Sequence, residues 1–307
     1  MKGTVIKSTG SWYDVLGEDQ TKYKGRLRGK FKIQDLKVTN PIAVGDVVEF
    51  EVEDVQEKSV LITNIQPREN YIIRKSVHKT GHGHLIASNI DQTVLVATLV
   101  YPRTSMGFID RFLVSAETFR IPATILFNKS DLCMGELKEV MEDIMNDYRR
   151  LGYTCIATSN VTGEGIEEFK NNIKGKRSLI SGHSGVGKSS LINTILPDLK
   201  LKTAEISDFA NKGVHTTTFA ERFEIDENTF IIDTPGIKEL GIFEIGNQEL
   251  SHYFPEMRTV LGQCKFHDCM HISEPKCAVI EKVKTGEIAA SRYESYLSML
   301  QNDDKHR

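Results

Sequence analysis

Gly182-His183-Ser184-Gly185-Val186-Gly187-Lys188-Ser189 lies between the apolar pair Leu179-Ile180 and the helical run Ser190-Leu191-Ile192-Asn193-Thr194-Ile195. The spacing G-x-x-x-x-G-K-[ST] in a strand, loop and helix setting is that of a phosphate-binding P-loop. Its glycines let the backbone curl so that N–H groups point inward at phosphate oxygens. Lys188 is then placed to reach the β- and γ-phosphates, and the Ser189 hydroxyl to ligate Mg²⁺. Gly182 through Ser190 are the candidate phosphate ligands.

On both sides of this loop, from Ile90 onward, apolar runs alternate with amphipathic stretches. Strands are expected at Thr93–Leu99, Ala123–Phe127, Tyr153–Ala157 and Ser178–Ser181, and helices at about Phe108–Phe119, Gly135–Leu151, Gly165–Ile173 and Lys188–Ile195. A hairpin is expected from Arg222–Ile225 and Thr229–Ile232. Continuous apolar strands alternating with helices predict an α/β fold with a parallel, doubly wound sheet.

Two tetrapeptides follow expected strands. Asp233-Thr234-Pro235-Gly236 comes after Phe230-Ile231-Ile232 and matches D-x-x-G. The strand delivers Asp233 toward Mg²⁺, and the Gly236 N–H is placed to sense a γ-phosphate. Asn128-Lys129-Ser130-Asp131 comes after Ile125-Leu126-Phe127 and matches N-K-x-D. Asp131 can accept two hydrogen bonds from the N1–H and N2–H₂ edge of guanine, where adenine offers no matching donors, so a guanine nucleotide is expected and an ATP-driven machine is not. Thr158-Ser159-Asn160, before Gly163-Glu164-Gly165, stands where main-chain N–H groups would back the base, with Ser159 and Asn160 as candidates. GTPases usually run P-loop, switch I threonine, D-x-x-G, N-K-x-D and base-backing loop. Here N-K-x-D and Thr158-Ser159-Asn160 come first, and the P-loop, Thr216-Thr217-Thr218 and D-T-P-G follow. The expected domain is a circularly permuted P-loop GTPase.

Before it, five short alternating runs within about 65 residues predict a small barrel of the OB type first and the SH3-like type second. They are Gly3–Lys7, Trp12–Leu16, Lys22–Arg28, Val47–Val52 and Val60–Ile65. Lys22, Lys24, Arg26, Arg28, Lys30 and Lys32 occupy alternate positions, with Tyr23 and Phe31 interleaved. On a strand they share one face, which suits a phosphate backbone with rings stacking on bases, and equally a solvated surface. Residues 71–89 are expected to form a basic, irregular linker. Lys and Arg total 39 against 42 Asp and Glu, a net charge of −3, so binding to nucleic acid must come from local basic patches. With 39% hydrophobic and 26% charged residues the chain is a globular one, not a disordered one. The longest strongly apolar stretch, Thr93–Val100, is far too short for a membrane span, and no signal segment is evident, so a cytoplasmic protein without a membrane partner is expected.

Cys264, Cys269 and Cys277 cluster beside histidines near the end of the chain. Three thiolates and an imidazole are the ligand set of a closed tetrahedral Zn²⁺ site, with no open position for catalysis. The residues alone leave His267 and His271 as alternatives for the fourth ligand. Helices are expected at Ala278–Lys284 and Glu287–Leu300. The implied division is a barrel over 1–68, the permuted GTPase domain over 69–244 and a zinc-binding, α-rich module over 245–307.

Taken together, the permuted order, G-H-S-G-V-G-K-S-S, Gly213-Val214-His215-Thr216-Thr217-Thr218, D-T-P-G and the cysteine–histidine cluster resemble the bacterial ribosome small-subunit-dependent GTPase A family over nearly the whole chain. Its pattern C-x₄-C-x-H-x₅-C favours His271 as the fourth zinc ligand. The resemblance implies a monomer that binds GTP and GDP, acts in late maturation of the small ribosomal subunit and contacts its rRNA, with hydrolysis stimulated by the subunit. An RNA-binding assembly factor that uses GTP only as an occupancy switch is the alternative. In many GTPases a glutamine follows the D-x-x-G glycine; here Ile237 does, and an aliphatic side chain cannot orient water. His215 is the candidate to replace it, and Thr217 the candidate switch I ligand to Mg²⁺, with Thr216 and Thr218 as the alternatives that the spacing leaves open.

Overall fold

The computed structural model describes residues 1–29, 38–75, 83–197, 199, 220–233 and 245–301. His215, Thr217 and Gly236, with Lys30, Phe31 and Lys32, lie outside the described residues.

The first five strands are β1 (Lys2–Ser8), β2 (Tyr13–Gly17), β3 (Lys22–Leu27), β4 (Val47–Asp54) and β5 (Ser59–Ile65). β1, β2 and β3 pair antiparallel in succession, β3 runs parallel to β5, β5 pairs with β4, and β4 returns to β1. The circuit closes as an OB-type barrel, and the SH3-like alternative falls away. Alternation drives it: Val5, Tyr13, Val15, Val48, Phe50, Val60 and Ile62 all point inward and are buried.

Exposed Lys22, Lys24 and Arg26 share one face of β3, as expected. Arg26 forks onto Glu53 at 2.9 and 3.1 Å, however, and Arg28 stands 3.7 Å from Glu51, so part of that charge is already paired. Tyr23 does not join the basic face. Its ring leans on Phe50 with centroids 5.2 Å apart, and its hydroxyl donates to Asp19.

Within the stretch expected to be an irregular linker, Tyr71–Lys75 and Gly83–Ser88 are strands, and residues 76–82 lie outside the described residues. β6 (Tyr71–Lys75) and β7 (Gly83–Ser88) form a separate antiparallel hairpin. A polar knot fastens it to the barrel. The fully buried Asp46 carboxylate accepts from Arg68 Nε and Nη2, both at 2.7 Å, from Ser88 Oγ at 2.6 Å and from the Ala43 N–H at 2.9 Å.

The central sheet contains β8 (Gln92–Ala97), β9 (Ala123–Asn128), β10 (Thr154–Thr158), β11 (Arg177–Ser181), β12 (Glu221–Asp226) and β13 (Thr229–Asp233), in the order β10-β9-β8-β11-β13-β12. All neighbours are parallel except β12 against β13. Counted from β11 around to β10, the spatial order becomes 2-3-1-4-5-6. Permutation has moved the chain ends while keeping the sheet. Helices α1 (Met106–Thr118), α2 (Glu136–Arg150), α3 (Ile166–Ile173) and α4 (Lys188–Ile195) cover its two faces, with one apolar cluster around Phe112, Ile125 and Met141 and another around Val96, Phe169 and Leu191. The barrel meets the sheet's edge strand at Lys7 and Glu221, which pair in register and through a 2.8 Å salt bridge.

The C-terminal module consists of α5 (Pro255–Arg258), α6 (Ala278–Lys284) and α7 (Ala290–Leu300), with a 3₁₀ turn at Leu250–Tyr253. Its core of Phe254, Met257, Val279, Ile288, Tyr296 and Met299 includes Val114 of α1, so the module is packed on the GTPase domain. No helix among the described residues is long and apolar enough to cross a membrane.

Asp46→Ala should strip the half-buried Arg68 of its carboxylate partner and cost about 3 kcal/mol. Urea unfolding of the full chain should show an earlier first transition; an unchanged curve would mean the knot does not support the barrel–hairpin junction.

Candidate nucleotide and metal sites

β11 ends at Ser181, and the chain turns through the P-loop into α4. Gly182 adopts φ +150°, and a Cβ there would stand 2.4 Å from the Val96 carbonyl oxygen. Gly187 adopts φ +96°, and a Cβ there would meet Asn128 Nδ2 at 2.4 Å. Both positions require glycine. Val186 is buried in the core under the loop, whereas Ser184 and Gly185 are exposed, so the loop is pinned from below and open above. Lys188 Nζ donates to the carbonyl oxygens of Gly182 at 2.7 Å and His183 at 2.8 Å. Burial lowers its pKa to about 8 against the pull of Asp233. Ser189 and Ser190 follow in the first turn of α4, whose N-terminus faces the same opening.

The N-K-x-D loop stands directly beside the P-loop. Asn128 Nδ2 donates to the Val186 carbonyl at 2.7 Å, and Asn128 Oδ1 accepts from Thr158 Oγ1 at 3.1 Å. Lys129, in the left-handed region at φ 61°, extends Nζ to Gly185 O at 2.9 Å and Tyr101 O at 2.5 Å. Ser159 Oγ donates to Asp131 Oδ1 at 2.5 Å while accepting from the Val161 and Thr162 N–H groups, which fixes the carboxylate. Ser130 Oγ donates to Glu164 at 2.6 Å, and Asn160 Oδ1 accepts from Thr194 of α4 at 3.3 Å. Asp233 ends β13 in register with Ile180 of β11, beside the strand that launches the P-loop. Asp233 and the Ser189 hydroxyl are oxygen donors of the kind that a hard cation takes.

The structure therefore brings Asn128, Lys129, Ser130, Asp131, Ser159 and Asn160 to the loop formed by Gly182 through Ser190. Sequence reading missed the roles of Thr158 and Glu164, although both lay within quoted motifs, and gave no sign that the loop bearing Tyr101 and Pro102 would border the P-loop.

At the far end of the chain, the ligand atoms of Cys264, Cys269, His271 and Cys277 all lie within 4.8 Å of one another. Thiolates about 2.3 Å from a shared tetrahedral metal stand about 3.8 Å apart. Cys264 Sγ and Cys277 Sγ are 3.8 Å apart, and His271 Nδ1 lies 3.6 and 3.3 Å from them. The donor set fits a tetrahedral metal. Exposed His267 stands outside it. Burial, with Cys277 and Cys264 hydrogen-bonded beside it, pushes the Cys269 thiol up to about 12, and burial lowers the pKa of His271, keeping its imidazole neutral as a ligand must be. The Ala278 N–H donates to Cys264 Sγ at 3.3 Å, and Tyr293 and Tyr296 hydroxyls hold the backbone carbonyls of His271 and Met270.

A P-loop joined to an N-K-x-D loop, on a sheet that keeps its spatial order while its chain order is rotated, defines a circularly permuted GTPase. The RsgA GTPase family model matches residues 65–243, and the RsgA N-terminal domain model matches residues 2–60. A Cytophaga hutchinsonii protein named small ribosomal subunit biogenesis GTPase RsgA is 57% identical over 307 residues, the whole of both chains. One of the same name from Christiangramia forsetii is 52% identical, covering 99% of this chain and 97% of its own. Among solved structures, YjeQ from Thermotoga maritima superposes with a TM-score of 0.76 at 38% identity, covering 98% of this chain and 97% of its own. YloQ, described as a circularly permuted GTPase, gives 0.71 at 29% identity, covering 100% and 96%. The chain belongs to the RsgA GTPase family and is a GTP-hydrolysing enzyme.

Bound phosphates should raise the Lys188 pKa above its value of about 8 in the free loop. Nucleotide affinity then has its full strength below about pH 8 and falls as pH rises above it, approaching about tenfold per unit. Titration with a fluorescent GDP analogue from neutral pH to about 9.5 checks this, and a flat profile would contradict it. Cys269→Ser should lose stoichiometric metal and unfold the C-terminal module, measured by metal analysis and circular dichroism, while GTP binding stays measurable, though weaker.

Proposed function

We propose that the chain hydrolyses GTP on the small ribosomal subunit during its late maturation, that the subunit stimulates hydrolysis, and that turnover is coupled to release. The observation that carries this reading is the full-length match to relatives named for small-subunit biogenesis, which spans barrel, GTPase domain and cysteine module alike. The exposed basic residues of β3 support rRNA contact by the barrel, with Arg26 already paired to Glu53 and the following Arg28 near Glu51. In this reading the three parts are 1–68, 69–244 and 245–307, and the protein acts as a cytoplasmic monomer.

Asp131, turned by Ser159, accepts the N1–H and N2–H₂ edge of guanine, and the stem of Lys129 crosses between base site and P-loop. Gly182 through Ser190 wrap the phosphates, and Lys188 exchanges its two carbonyl partners for phosphate oxygens. Ser189, Thr217 and Asp233 would hold Mg²⁺, which when bound neutralises phosphate charge. The Gly236 N–H senses the γ-phosphate, and His215 orients the attacking water in place of the glutamine that Ile237 displaces. Cys264, Cys269, His271 and Cys277 hold a structural Zn²⁺, the metal that thiolate-rich tetrahedral sites favour.

The absence of a glutamine after Gly236 favours a second reading, in which GTP is only an occupancy switch. Phosphate release measured with small subunits, large subunits or naked rRNA separates the two. Small subunits alone should raise turnover by well over an order of magnitude. His215→Ala should abolish that stimulation while retaining GTP affinity. Negligible turnover under every condition would leave the switch reading standing.

A further inference from the structure

Helix α1 lies between the nucleotide site and the C-terminal module. At its N-terminal turn the Phe108 ring packs on the His183 ring of the P-loop, with centroids 3.8 Å apart. In the connection before it, Pro102 borders Gly185, and the Tyr101 carbonyl accepts from Lys129. Two residues beyond Phe108, the buried Asp110 carboxylate takes Arg292 Nη1 of α7 at 2.7 Å and the Tyr148 hydroxyl at 2.7 Å. Arg292 in turn forks onto buried Glu256 at 2.7 and 3.2 Å and stacks over Phe254, 4.7 Å from its centroid.

Residues two apart on a helix point roughly 200° from each other, so Phe108 and Asp110 address opposite sides of one rigid body. A turn further on, Val114 joins the C-terminal core, and a full turn after that Glu117 takes Arg258 at 3.1 Å. The module therefore grips α1 along its length, while the Phe108 ring at its start packs on the loop. The His183 carbonyl is one of the two that hold Lys188, so a displaced ring moves the lysine's anchor.

The chemistry of the grip is selective. Asp110 Oδ2 is buried without a hydrogen-bond partner, so the cluster is not the cheapest way to fill this space. Charges oriented this way instead define one seating of the module on the helix.

We propose that α1 is the positioning element of the phosphate loop: Phe108 sets the loop through His183, and the Asp110–Arg292–Glu256 cluster is the clamp through which the C-terminal module sets α1. Phe108 and Glu256 are positioning residues, and the inference rests on the GTPase site described above. Engagement of the C-terminal module by a partner thereby changes how the P-loop holds nucleotide.

The test uses the full, metal-loaded chain with Phe108→Leu, Glu256→Gln and the double variant. Each single change should weaken binding of a fluorescent GDP analogue about five-fold and raise KM for GTP to match, with the effect in KM rather than kcat. The double variant should be no weaker than about the stronger single, because both act through one helix. Multiplying effects, or a Glu256→Gln protein with a lower melting temperature and wild-type affinity, would overturn the proposal. Linkage supplies a reading on the unaltered protein: saturating GDP should slow hydrogen exchange in Ala290–Leu300, and unchanged exchange there also overturns it. Failure of the unaltered chain to bind guanine nucleotide would instead sink the site reading itself.

Discussion

The 2.7 Å hydrogen bond from Asn128 to the Val186 carbonyl is the contact on which the nucleotide site depends. It joins a loop that reads the base to a loop that grips phosphate, 58 positions away along the chain. Gly187 must lack a Cβ for Asn128 to come so close, and Val186 must be buried for its carbonyl to hold still. Lys129 repeats the link on the exposed side through Gly185, so the two loops behave as one surface. Buried polar bonds of this kind are costly to leave half made, which fixes the spacing between base site and phosphate site.

Permutation is tolerated because this surface needs spatial order, not chain order. Parallel strands β9, β8, β11 and β13 deliver their loops to one edge of the sheet whichever strand comes first. The new chain ends then become attachment points. The barrel and hairpin feed β8, the barrel's β1 pairs with the edge strand β12, and the segment after β13 leads to a module seated on α1. An edge strand that would otherwise be open to association is covered in part by the protein's own barrel.

The two ends of the molecule use different chemistry for the same purpose of fixing side chains. At the cysteine cluster, burial raises the thiol and lowers the imidazole, so a tetrahedral cation is the natural replacement for the protons. At Arg292 burial opposes the charge, yet Asp110 and Glu256 hold its pKa above the ordinary guanidinium value. Such a cation is fixed in its charged form.

Residue identity alone determined the P-loop, N-K-x-D and D-x-x-G elements and the cysteine spacing, because each needs particular atoms at particular intervals. The alternating barrel strands were legible for a related reason, since one face of each must be apolar. The hairpin at Tyr71–Lys75 and Gly83–Ser88 was not: its second strand is buried nearly throughout and carries a bulge at Ile86, so it does not show the period of two. Tyr23 read as a surface ring, and only packing turned it onto Phe50. Nothing in the sequence singled out Arg292. Its partner Asp110 is 182 residues away, and no local pattern announces a charge pair that exists only once two separately folded surfaces meet. Tertiary structure decided the seating of the modules and the closeness of the two nucleotide loops, because both rest on contacts between segments remote in sequence.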